Sequence, residues 1–148
     1  MSQNQQPVNE YITAFKGRFS SLLRWEHLDA FWNVLRLQAD DNWYIYAVGE
    51  DAPTQTSSAE QLKRFIDEVD QLLRADHEED YCAIVYADDH LHPSFIKIFD
   101  PNNLGVSCGF SENPPLPGWV LSKIKPVNLE AALRPPKNRQ HWWQKIFA

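Results

Sequence analysis

"YCAIVYADDHLHPSFIKIF", residues 81–99, sets two apolar runs on either side of a polar loop. Neither run carries the three-to-four-residue spacing of a helix. Both are rich in β-branched and aromatic residues, so each predicts a strand. The first, "YCAIVYA", is apolar on both alternating faces, as a central strand covered on both sides requires. Downstream, "SFIKIF" and "VSCGF" flank "DPNNLG", whose Pro101, Asn102, Asn103 and Gly105 suit a turn, and together they predict a β-hairpin. "NPPLPGW" holds a P-x-x-P from Pro114 to Pro117 and reads as a stiff extended connector that aims Trp119 into the core. "WVLSKIK" then predicts a last strand, and "PVNLEAAL" a helical turn.

Upstream the period changes. Tyr11, Ile12 and Phe15, interrupted by Gly17, predict a short first helix from Pro7. Leu22, Trp25, Leu28, Phe31, Trp32 and Leu35 recur every three or four residues and predict a second, capped by Ser20 or Ser21 and ending near Ala39. "NWYIYAVG" predicts a strand. Ser57 with Glu60, or Ser58 with Gln61, makes a capping box ahead of Leu62, Phe65, Ile66, Val69, Leu72 and Leu73, the clearest helical period in the chain. Helices and strands therefore segregate rather than alternate. That order predicts an α+β domain: an antiparallel or mixed sheet of about five strands with helices packed mainly on one face.

At 148 residues with 43% hydrophobic positions, the chain has the length of one domain. The expected division is a single domain over residues 1–133 and a basic aromatic segment over 134–148. No apolar run approaches the ~20 residues of a membrane span and no leader-like pattern opens the sequence, so a cytoplasmic protein is expected. Two cysteines, Cys82 and Cys108, are too few for a disulfide framework and read as reduced and buried.

The net charge of −6 is uneven. Residues 1–130 hold all 20 acidic side chains against 10 basic ones, whereas residues 131–148 hold four basic and no acidic ones. An acidic body repels nucleic acid and anionic lipid, which makes both poor partners.

Chemistry is sparse. Asp88, His90 and His92 in "ADDHLHP" are residue types that hold zinc or iron, and two histidines two apart on extended chain share a side. A third ligand is not evident, so a turn with Asp chosen for its backbone bonds is preferred and no metal is expected. A thiol–imidazole pair of Cys108 with His90 or His92 is disfavoured because Cys108 alternates with Val106 and Phe110 on an apolar face. "DHEED" at 76–80 reads as a solvated connector. The glycine-rich phosphate loops and the G-x-S-x-G elbow do not occur, and no cofactor is expected.

Aromatic residues make up 13% of the chain. Trp43, Tyr44 and Tyr46 place rings on both faces of the first strand, and a single helix layer buries one face. The other is either covered by the terminal segments or offered to a partner, with Trp119 nearby as a further contact residue. In the last segment Trp142, Trp143, Ile146 and Phe147 share one face of a two-turn helix, and Arg139 and Lys145 lie toward the other. So short a helix needs a surface, and docking on its own domain, or next on a partner, is expected. The functional expectation is a protein-binding domain of adaptor, accessory or assembly type whose partner is another protein or a second copy. The alternative is a small-molecule-binding protein or metal-dependent enzyme with its site near Asp88, His90 and His92.

Overall fold

A computed structural model describes residues 7–102 and 115–133. The elements run α1 (Pro7–Phe15), β1 (Ser20–Ser21), α2 (Trp25–Leu37), β2 (Tyr44–Ala47), α3 (Ala59–Asp76), β3 (Val85–Ala87), β4 (Phe95–Ile98), β5 (Trp119–Ser122) and α4 (Leu129–Leu133). The five strands form one sheet in the order β1-β3-β4-β5-β2, every neighbouring pair antiparallel. The fold is α+β. The expected strand at 106–110, Cys108 and the segment 134–148 lie outside the described residues.

α3 forms where the capping box places it: the Ser58 hydroxyl accepts the Gln61 N–H at 3.1 Å, and the Gln61 side chain accepts the Ser58 N–H at 2.8 Å. Its buried stripe is Leu62, Ile66, Val69 and Leu73, and that of α2 is Leu28, Phe31, Trp32 and Leu35. Both stripes meet one sheet face, with Val85, Ala87, Ile96, Ile98 and Leu121 in the same cluster. Each fully buried aliphatic residue contributes roughly 1.5–3 kcal/mol of transfer free energy there. Polar clamps fix the helix pair. Trp32 Nε1 donates to Asp70 at 3.0 Å, and Arg74 bonds Asp70 and reaches Asp29 of α2 at 2.6 Å. Those ion pairs are largely exposed and set geometry more than stability.

The opposite face holds a smaller cluster: Tyr11 and Phe15 of α1, Tyr46, Phe95, Val120, and Leu129 of α4. The two short helices thus cover what the long pair leaves open. Gly49 turns the chain at the end of β2 with a φ of 105°, a conformation glycine adopts without a Cβ penalty.

Two local expectations are corrected. Ser20 and Ser21 do not cap α2. They form β1, opposite Ala87 and Tyr86, and α2 starts after Arg24, which makes no side-chain cap bond. The small polar residues that suit a cap also suit a short edge strand, and the pairing to β3 prevails. Nor is "YCAIVYA" a strand throughout. Leu22 donates to the Val85 carbonyl at 2.8 Å and accepts from Ala83 at 2.9 Å, and Cys82 donates to Leu23 at 2.8 Å. Ala83 takes a φ of 57° to make that kink, so β3 begins only at Val85. No helix among the described residues is long and apolar enough to cross a membrane.

Candidate functional site

The loop between β3 and β4 carries the residues that looked most chemical. Asp88 accepts the Ser94 and Phe95 N–H groups at 3.0 and 3.1 Å and the Ser94 hydroxyl at 2.6 Å. Asp89 accepts the N–H groups of Leu91 and His92 at 2.8 and 2.9 Å, bonds that hold its carboxyl below the usual range. Both carboxylates are thus engaged in shaping the loop. His90 turns inward: its Nε2 lies 3.0 Å from the Ser20 hydroxyl and 3.1 Å from the Ser20 carbonyl, and its ring meets the edge of Phe31 at 5.9 Å between centroids. His92 points to solvent. Among the described residues no group of three or more His, Cys, Asp or Glu is placed to hold a metal ion.

What this loop builds is an apolar wall. Leu91, at its tip, is 67% exposed, and Leu23, just after β1, is 59% exposed. With Ala30 and Val34 of α2 and the rings of His27 and His90 they line a groove of about 260 Å³. Gln38 at the end of α2 donates to the Leu91 carbonyl at 2.8 Å and pins the loop over the helix. The groove is open and shallow. It offers three leucines, two imidazoles and few other polar atoms, the composition of a surface that receives an apolar side chain from a partner.

The aromatic candidates fall elsewhere. Trp43 is fully buried in the cluster under α2 and α3, and Tyr46 is buried in the cluster under α1 and α4, so both ring faces are committed to the interior. Tyr44 and Trp119 are half-buried, Trp119 packing against the first cluster. Trp142 and Trp143 lie outside the described residues. Cys82 is buried and its thiol is pushed up by burial, the behaviour of a packing residue. "DHEED" ends α3 and turns toward α2: Trp25 donates to the Glu79 carbonyl at 3.0 Å, and His77 Nε2 lies 3.0 Å from the Cys82 carbonyl.

Leu23, His27, Ala30, Val34 and Leu91 were not singled out in the sequence. A faint signal exists, because Leu23 and Leu91 are large apolar residues in otherwise polar surroundings. It does not reveal that β1 and the β3–β4 loop flank the same side of α2.

Comparison with known proteins returned no match to a family model, to a curated protein or to a solved structure.

Proposed function

We propose that this chain is a protein-binding domain of adaptor, accessory or assembly type, which takes an apolar segment of a partner protein into the groove between α2, β1 and the 88–92 loop. One observation carries the reading: Leu23 and Leu91, 59% and 67% exposed, stand on the rim of one concave apolar surface rather than singly on a polar one. The engagement of Asp88 and Asp89 by backbone groups supports it further, because it withdraws the loop carboxylates from ligand chemistry. An interface of this kind places its binding energy in a few central apolar contacts.

The test is site-resolved crosslinking. A photoreactive side chain at Ala30 is expected to capture one protein from the native host. Leu23→Asp with Leu91→Asp is expected to abolish that capture, while Leu37→Asp, on a still more exposed leucine outside the groove, leaves it intact. Capture that ignores the groove variants, or that Leu37→Asp removes as well, overturns the reading.

A further inference from the structure

α2 carries a second line of side chains besides the one it buries. His27, Ala30 and Val34 follow one another at spacings of three and four residues, a line distinct from the buried Leu28, Phe31, Trp32 and Leu35. A helix with apolar residues on two faces is built to be covered on both. Among the described residues the outer line is left open: His27 and Ala30 are exposed and Val34 is half-buried. Its spacing is that of helices packed along their length, at a shallow crossing angle of about 20°.

The groove along this line has unlike ends. Leu23 stands just before the start of α2, with the exposed Arg24 beside it. Leu91 stands toward the other end, held there by Gln38, with the exposed Asp89 two positions before it. Arg24 takes part in no ion pair among the described residues. The Asp89 carboxylate accepts two backbone N–H groups and keeps capacity for a further donor. Between the two leucine rims lies Ala30, the smallest residue of the line, which leaves a hollow. In sequence, Leu23 with Val34 and His27 with Ala30 share one midpoint, between residues 28 and 29. A half-turn about that point therefore makes the surface its own complement. Leu23 meets Val34 and Leu91 of the other copy, His27 meets the other Ala30, and Arg24 approaches the other Asp89. Every contact of such a pairing is made twice.

We propose that the occupant of the groove is a second copy of this chain, the two α2 helices packing antiparallel with Leu23 of each against Leu91 of the other. The proposal rests on the reading of the groove as a protein interface and names its partner. Few large apolar side chains enter the contact from each copy, so association is expected in the micromolar range.

The test is sedimentation equilibrium of the whole chain at concentrations up to roughly 100 µM, where a reversible monomer–dimer equilibrium is expected. Leu23→Lys and Leu91→Asp are each expected to weaken the dimer roughly 30-fold or more, with unchanged circular dichroism because both side chains are exposed. An equimolar mixture of the two variants can form one Lys–Asp and one Leu–Leu contact, and is expected to associate more tightly than either variant alone. Misfolding of a variant does not produce that rescue. A mixture no tighter than its components overturns the proposal, as does a dimer indifferent to both substitutions. A wild-type chain that stays monomeric also overturns it. If Ala30 in that monomer still captures a different protein of the host, the groove remains an interface and only this occupant is wrong.

Discussion

Tyr46 of β2 accepts the backbone N–H of Leu129 on its phenolic oxygen at 3.1 Å, joining the edge of the sheet to the first turn of α4 across 83 positions of sequence. Its ring is 1% exposed, so this bond is made away from water. Tyr46→Phe keeps the packing and leaves the Leu129 N–H without its acceptor. The expected loss is about 1–2 kcal/mol in urea unfolding, with local hydrogen exchange of the α4 amides accelerated more than that of α3.

Asp88 is expected to matter to the loop and not to a metal. Asp88→Ala removes the acceptor for two backbone N–H groups and one hydroxyl, and should lower stability by about 1–3 kcal/mol. Asp88→Asn, which keeps one carbonyl acceptor, should recover part of it. Elemental analysis of wild type and His90→Ala/His92→Ala should give the same transition-metal content, well below one per chain. One equivalent of zinc or iron lost in the double variant would reverse this account.

Lys97 gives stability a pH dependence whose sign follows from its lowered folded value. From about 8 up to the ordinary 10.5 the unfolded chain holds the proton that the folded chain has released, so stability rises with pH across that window. Lys97→Met has no such term. It should be more stable than wild type by about 1 kcal/mol at pH 7, a figure reduced for partial exposure and for the Phe15 and Phe19 rings, whose centroids lie 4.1 and 4.0 Å from the ammonium, with the gap closing toward pH 10. Chemical denaturation of the pair at both pH values decides it, and using the difference cancels the titration of the tyrosines.

The docking read from the sequence of 134–148, a segment outside the described residues, has a direct test. Ending the chain after Leu133 should lower the melting temperature by several degrees, and Trp142→Ala with Trp143→Ala should remove a blue-shifted, quencher-protected part of the fluorescence. An unchanged melting temperature together with loss of a water-exposed component would assign those indoles to a partner instead.

The helices α1, α2 and α3 were legible because their signals are local: a 3.6-residue apolar period, and for α3 a cap three residues from its partner. β2, β3, β4 and β5 were legible as apolar runs, and their segregation from the helices gave the α+β class. What failed was decided by pairing between distant segments. Ser20 and Ser21 carry cap chemistry, and only Ala87 and Tyr86 turn them into a strand. Ala83 looks like any strand alanine until Leu22 and Leu23 claim the N–H groups around it. Sites were harder still. "SFIKIF" shows one basic residue in a strand but not the two phenylalanines that α1 and its following turn bring over it. "ADDHLHP" offers metal-ligand types, and the backbone N–H groups that occupy its carboxylates leave no trace in composition.

The two margins of the sheet bear on how this protein keeps company with copies of itself. β1 is two residues long, and the His90 ring sits against Ser20. On β2, the Trp43 carbonyl is taken by the Ser57 N–H at 2.8 Å and the Ala47 carbonyl by that of Glu50 at 3.1 Å. Among the described residues, each margin is thus short or partly occupied, which disfavours extension by an added strand. For an aromatic-rich protein at high concentration, fibril growth by edge recruitment is expected to be slow.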